Sequence, residues 1–270
     1  MREEFLNIWI HEDKQLEVLL NEKIISREKL HHWPLSYVEK VTMKNNSHFV
    51  YKTQHSAASV EKDFYAKIKS PFLTSPIYSE TYENCDIMIL PYLEYPTLEE
   101  VPEIDLEQII LKISHIVQNF SDMPVFFDLS SVEKLTEIIE TVSIVFQGKD
   151  ENNHIAVLKN WIYENAHTCY DGQQIGNVHS DLAYANILTE NGELRYLLDW
   201  QRPMKAPLLL ENALAFRLAG YDAVKRYGNF GILATICFFL WYSYACHRFL
   251  PFVFGIADQY LLEFVSHVSA

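Results

Sequence analysis

The chain has 270 residues, 49% of them hydrophobic and 14% aromatic, with a formal net charge of −14. That length suits one compact protein of two lobes, and the apolar content excludes disorder, collagen-like repeats and low complexity. The acidity excludes a nucleic-acid or anionic-membrane binder, because phosphate contacts need clustered Lys and Arg. It is unevenly spread: residues 71–152 hold 16 acidic and 3 basic side chains, against 10 and 11 in residues 1–70.

The opening Met1-Arg2-Glu3-Glu4-Phe5 is charged, and no apolar run with a small-residue cleavage site follows it, so no secretory signal is expected. Cys85, Cys169, Cys237 and Cys246 lack metal-ligand spacing and are too few for a disulfide scaffold. They read as free thiols of a cytoplasmic protein.

Asp13 to Ile24 reads as a short helix with Leu16, Leu19 and Leu20 on one face. Tyr37–Met43 and His48–Thr53 are rich in β-branched and aromatic residues and flank Lys44-Asn45-Asn46-Ser47, which predicts a hairpin. Ser59–Ile68 returns to helical spacing through Val60, Phe64 and Ile68, and Asp86–Leu90 is a short apolar strand ending at Pro91. Beyond it the pattern is almost wholly helical. Leu106 to Phe120 carries an apolar stripe at three-and-four spacing; Ser130 with Glu133 marks a capping box for a second helix; a third runs from about Asn153 to Ala166. Helices also fill the chain from Leu208 onward. Tyr227 to His247 is 21 residues without a formal charge, close to a bilayer span, but its Asn229, Thr235, Tyr242, Ser243 and His247 predict a buried core helix and no membrane contact.

The chemistry concentrates in the one interruption of this helical stretch, residues 177–200. Ile187–Thr189 and Leu194–Leu198 flank Asn191-Gly192, the strongest local hairpin signal. If that turn forms, Asn186 enters the first strand at the end where Asp199 leaves the second. One amide oxygen and one carboxylate there suit Mg²⁺, which binds through few protein ligands plus waters and substrate phosphates. Asp181, five residues before Asn186, is placed to accept a proton from a substrate hydroxyl.

His179-x-Asp181, then Asn186, then Asp199-Trp200-Gln201 after a short hairpin, resembles the signature of the aminoglycoside phosphotransferase and choline kinase-like family, small-molecule kinases of protein-kinase-like fold. The resemblance extends to Glu211-Asn-Ala213-Leu, where the family usually has an Asp that braces the catalytic loop; Glu211 departs from it by one methylene. His179 reads as an orderer of that loop rather than a proton carrier.

The resemblance implies an α+β architecture with a small antiparallel-sheet lobe carrying one helix, residues 1–92, and a larger helical lobe, residues 93–270. It implies Lys52 on a strand for the nucleotide phosphates, Glu61 on the next helix to hold it, and Pro91 and Leu93 at the hinge for adenine. It further implies ATP and Mg²⁺ as cofactors and a hydroxyl-bearing small molecule as partner. The acidity of residues 71–152 suggests a cationic acceptor, such as an aminoglycoside or a choline-like amine. Kinases usually cover the phosphates with a glycine-rich loop, yet the first glycine here is Gly148. The corresponding stretch His31–Tyr37 offers the amides of Leu35 and Ser36 and the Ser36 hydroxyl instead. A second reading therefore stands beside the kinase: an inactive pseudokinase serving as a nucleotide-binding or interaction module. Only eight residues separate Trp200 from the helix near Leu209, too few for a protein-kinase activation segment.

Overall fold

The computed structural model describes residues 2–3, 8–101, 105–249 and 251–269; most of the charged opening read for a signal lies outside them. The chain forms two compact units: Met1–Pro102 with Asp122–Pro124 and Ala185–Gln201, and Glu103–Ser121 with Val125–Tyr184 and Arg202–Ala270.

The first unit opens with β1 (Arg2–Glu3) and β2 (Ile8–Trp9), an antiparallel pair, followed by α1 (Asp13–Leu20). α1 is shorter than its apolar pattern suggests, because Asn21 turns left-handed at φ 51° and ends it. Next come β3 (Ile24–Trp33), β4 (Ser36–Met43), β5 (His48–His55), α2 (Glu61–Lys67), β6 (Tyr78–Tyr82) and β7 (Cys85–Pro91). The five long strands make one antiparallel sheet in the order β3-β4-β5-β7-β6. β4 and β5 form the expected hairpin, and α2 and the apolar β7 stand where the pattern places them. β3 and β6 are additions. β3 is an edge strand with mostly exposed polar side chains, so it shows no alternation to read; Arg27 fixes it by bonding Glu39 on β4 (2.7 Å) and Asp13 on α1 (2.9 Å).

Strand alternation divides the sheet's two faces. Val41, Met43, Tyr51, Cys85, Ile87 and Ile89 pack with Ile8 and Leu16 into one core. Lys52, two positions from Gln54, lies on the opposite face.

The second unit starts with α3 (Leu106–Gln118), β8 (Phe127–Asp128), α4 (Val132–Val142), α5 (His154–Asn165) and β9 (Ile175–Val178). The cap of α4 is Ser131, not Ser130: its hydroxyl accepts the Lys134 N–H, while Ser130 Oγ meets the Lys134 ammonium. The chain then returns to the first unit for β10 (Ile187–Glu190) and β11 (Glu193–Leu197). It re-enters the second as β12 (Met204–Pro207), α6 (Leu209–Leu218), α7 (Ala223–Tyr227), α8 (Asn229–Arg248) and α9 (Phe254–Val268). β12 pairs with β8 in parallel and with β9 antiparallel, a small sheet that the almost wholly helical expectation did not include.

The compact units differ from an expected division at residue 92 with the hairpin on the later side. The first continues to Pro102 and takes in the hairpin because Thr189 N–H bonds the Pro96 carbonyl (2.9 Å) and Leu197 N–H bonds that of Phe72 (2.9 Å).

α8 is the core of the second unit, packed by α9, α6, α7 and α4. Among the described residues it is the one helix long and apolar enough to cross a membrane, and 78% of its most apolar window is buried inside this unit. Trp241 packs on Phe126 and Phe146 on Phe239, with ring centroids 5.4 and 5.5 Å apart. Cys85, Cys169, Cys237 and Cys246 are all buried free thiols.

Candidate active site

The residues singled out by the sequence fall into two groups, one in each unit. In the first unit Lys52 stands on β5, with its ammonium 2.5 Å from Glu61 Oε2 and 2.8 Å from Asp199 Oδ1. Lys52 and Glu61 are buried, whereas the Asp199 side chain is 30% exposed. Burial works against the Lys52 charge, but the carboxylates of Asp199 and Glu61 outweigh it and hold the ammonium above its ordinary pKa. Lys52 therefore stays a fixed cation.

This arrangement follows from local structure. Glu61 starts α2, and its other oxygen accepts the Trp200 N–H at 3.2 Å. The Val60 N–H bonds the Gln201 carbonyl at 3.0 Å, and Phe64 stacks on Trp200 with centroids 4.1 Å apart and planes 7° off parallel. Such a stack adds about 1 kcal/mol beyond area burial.

β10 and β11 form the hairpin read at Asn191-Gly192, whose φ of 54° and 79° are those of a type I′ turn. At its open end the Leu198 N–H bonds the Asn186 carbonyl at 2.9 Å, so Asn186 and Asp199 sit on adjoining strand ends. Asp199 is itself left-handed, at φ 63°. The donor set suits Mg²⁺: one carboxylate and one amide are hard oxygen ligands, and no cluster of three or more His, Cys, Asp or Glu among the described residues forms an all-protein cage.

Ser36 and Pro91 lie on the same sheet and Leu93 just past its β7 strand, but they are not drawn into this cluster. Ser36 opens β4, buried and opposite Gln54; Pro91 ends β7 opposite Phe49; Leu93 follows, half-buried. The glycine-free turn before Ser36 is Pro34-Leu35, in which the Leu35 carbonyl accepts the His55 N–H at 2.9 Å.

In the second unit β9 delivers the His179-Ser180-Asp181 loop. The Gln118 side chain, at the end of α3, bonds both backbone groups of Asn177, at 3.1 and 2.6 Å. A Cβ at Gly176 would stand 2.0 Å from Gln118 Oε1, so a larger residue there would push the Gln118 side chain off its bonds to Asn177. The Asn177 amide then donates to the carbonyls of Val117 and Phe120.

Glu211, in the first turn of α6 and 2% exposed, accepts the backbone N–H groups of His179 and Ser180 at 2.5 and 3.0 Å. Its longer side chain thus reaches the loop that the shorter Asp serves in the resembling family. Burial pushes its carboxyl up to about 7, against the two N–H bonds that favour the charged form. His179, fully buried, accepts the Asp181 N–H on Nδ1 at 3.3 Å, an ordering contact.

Sequence reasoning missed Arg202. Its guanidinium bonds Asp181 Oδ2 at 2.9 Å and lies over the Trp241 ring at 4.3 Å, while its carbonyl accepts the Ser180 hydroxyl at 2.6 Å. The one signal was its place just after the Asp199-Trp200-Gln201 triplet.

A five-stranded antiparallel sheet whose helix α2 supplies the Glu of a buried Lys–Glu pair, together with a mainly helical unit bearing a His-x-Asp loop, is a protein-kinase-like fold of α+β class. No protein-family model matches the chain, and no curated protein does. Solved structures similar to it include aminoglycoside phosphotransferases. APH(4)-Ia matches over 94% of this chain and 97% of its own, with a TM-score of 0.64 and 14% identity. APH(2'')-IIa, in ternary complex with streptomycin and ATP, matches over 94% and 97% with a TM-score of 0.59 and 12% identity. The spectinomycin phosphotransferase APH(9)-Ia, with ADP and spectinomycin, matches over 94% and 95% with a TM-score of 0.51 and 16% identity. The chain has the fold of these enzymes.

Proposed function

We propose that the protein is an ATP- and Mg²⁺-dependent phosphotransferase that transfers the γ-phosphoryl group to a hydroxyl of a small molecule. The observation that carries this reading is the buried Lys52 ammonium held between Glu61 and Asp199, since a structural surface lysine needs no such pair of carboxylates. Lys52, steadied by Glu61, contacts the α- and β-phosphates; Ser36 adds a hydroxyl to them; the Pro91 carbonyl and the Leu93 amide bond adenine. Asn186 and Asp199 hold Mg²⁺, which when bound neutralises charge on the phosphates. Asp181 orients the acceptor hydroxyl and takes its proton, with Arg202 fixing the carboxylate and His179 and Glu211 the loop. Solved proteins of this fold that bind ADP or ATP alongside hydroxyl-rich antibiotics support the assignment, as do the free thiols for a cytoplasmic setting.

Part of the acidity of residues 71–152 is taken up by local structure. Asp105 caps α3, Asp150 accepts the His154 and Ile155 N–H groups, Asp128 pairs with Lys134, Glu107 with Arg226 and Asp86 with Lys62. These are caps and ion pairs of local structure. The remaining acidic side chains of this stretch keep a cationic acceptor, such as an aminoglycoside or a choline-like amine, as the finer proposal, and the streptomycin and gentamicin complexes of a protein of this fold support it.

The glycine-free Pro34-Leu35 turn favours the pseudokinase as the second reading. Purified protein incubated with Mg²⁺-ATP and a panel of amino sugars, sugars and hydroxylated amines, beside an Asp181→Asn control, separates the two. Acceptor-dependent ADP release above the control is expected. A thermal shift with Mg²⁺-ATP and no turnover on any acceptor would favour the pseudokinase, and no shift at all would reject both nucleotide readings.

A further inference from the structure

Trp9 and Tyr82 meet with ring centroids 4.8 Å apart and planes tilted by 59°. With Tyr78 they wall a groove of about 470 Å³ between α1 and β6 on the first unit, which takes in none of the residues assigned to phosphotransfer. That volume lies within the roughly 300–1,000 Å³ of small-molecule sites.

The polar lining is Glu80, His11, Lys14 and Gln15, whose side-chain oxygen accepts the Glu12 N–H. His11 is buried, with Nδ1 3.1 Å from the Tyr51 hydroxyl and Nε2 3.3 Å from Glu80 Oε1. Burial lowers its pKa, more than the Glu80 charge raises it, so at neutral pH the ring is uncharged and its contact with Glu80 is a hydrogen bond. The Tyr78 hydroxyl also bonds Glu80. Two neutral donors orient this carboxylate without cancelling its charge. Lys14, the cation of the lining, stands exposed on the first turn of α1.

We propose that this groove binds a small organic ammonium ion with an apolar or ring-bearing body, Trp9, Tyr78 and Tyr82 supplying aromatic faces and Glu80 the countercharge. Ring faces attract cations through their quadrupole, and a carboxylate at the wall adds direct Coulomb attraction. An anionic ligand would set its charge against Glu80. A neutral one would cover the carboxylate without bringing it a countercharge. The site is independent of the phosphotransfer reading: its residues come from β2, α1 and β6, and Lys52 faces the other side of the sheet.

The test is isothermal titration calorimetry of the full chain with benzyltrimethylammonium chloride, and with 3-phenylpropan-1-ol as a neutral probe of similar size. Saturable single-site binding of the ammonium is expected, with Glu80→Gln and Tyr82→Leu each weakening it about tenfold or more and the neutral alcohol weaker by a similar factor. Asp181→Asn leaves it unchanged. Tyr82 is 42% exposed, so its replacement keeps the fold, as thermal unfolding verifies, where loss of the more deeply packed Trp9 would disturb the core. No saturable heat, equal binding of the alcohol, undiminished binding by both groove variants, or loss in Asp181→Asn would each overturn the proposal.

Discussion

The Lys52 ammonium lies 2.8 Å from Asp199 Oδ1, on residues 147 positions apart. The pair ties the central strand of the sheet to the end of the β10–β11 hairpin, with Glu61 as third member. In the proposed reaction the same two residues take the phosphates and the metal, so the ion pair holds both in place beforehand.

Removing that cation tests the arrangement. Lys52→Met strips the buried Glu61 carboxylate of its ammonium, which costs about 3–5 kcal/mol. Replacing the buried pair together, Lys52→Met with Glu61→Leu, recovers most of the loss, because no buried charge is left at the helix start. Both variants lose phosphotransfer. Urea unfolding compares them, and a stability-neutral Lys52→Met would mean that the carboxylates do not depend on the ammonium.

Glu211 gives opposite pH dependences of stability and activity. Its carboxyl is raised from 4.5 to about 7 in the folded protein. Between those values the folded chain holds a proton that the unfolded chain has released, so this group's contribution to stability falls as pH rises from 4.5 to 7 and is level outside that window. The full swing is about 3 kcal/mol. Activity runs the other way, because only the ionised carboxylate accepts both loop N–H groups; kcat should rise through pH 7. In Glu211→Gln both slopes disappear. A wild-type stability that increases across the same window would show that burial does not raise this group.

Arg202 is expected to act on Asp181 through geometry. Lysine keeps the charge but neither the planar contact with Trp241 nor the directed N–H bond to Oδ2. Arg202→Lys should therefore lower kcat by about tenfold to a hundredfold with KM for ATP little changed, while Asp181→Asn lowers kcat by about 10²–10⁴. An Arg202→Lys variant with raised KM for ATP and intact kcat would place the residue elsewhere in the reaction.

Much of the cluster was legible because its signals are local. Asn191-Gly192 dictates a turn of fixed twist, which together with the one-residue register shift between Leu188 and Thr189 sets Asn186 beside Leu198, and the strand and helix patterns around Lys52 and Glu61 imply their elements. The rest depends on contacts that no window of sequence contains. β3 alternates nothing because it is an exposed edge held by Arg27 to Glu39 and Asp13. The strand pairing of Met204-Lys205 with Phe127-Asp128 joins two-residue segments too short for periodicity. Arg202 belongs with Asp181 only after β12 has folded beside β9. The acidity of residues 71–152 was legible as a number, but its use was not, since caps and ion pairs are assigned by geometry.

Gly192 and Gly231 separate two reasons for glycine. Gly192 has φ 79° and open space, with no atom within 4 Å of where a Cβ would stand, so Gly192→Ala meets only the left-handed backbone penalty, about 1 kcal/mol. Because that turn sets the open end of the hairpin, the Mg²⁺ concentration for half-maximal activity should rise as well. Gly231 is helical, where alanine is intrinsically better by about 1 kcal/mol. Its added Cβ, however, would lie 2.4 Å from the carbonyl carbon and oxygen of Ala223, backbone atoms of α7 that cannot rotate away. Overpacking of this kind costs about 1–3 kcal/mol or more, so Gly231→Ala should be net destabilising despite its propensity gain, with the Mg²⁺ requirement unaltered. Thermal unfolding and Mg²⁺ titration of the two variants decide it: a stabilised Gly231→Ala would mean that α7 yields to α8 rather than packing rigidly against it.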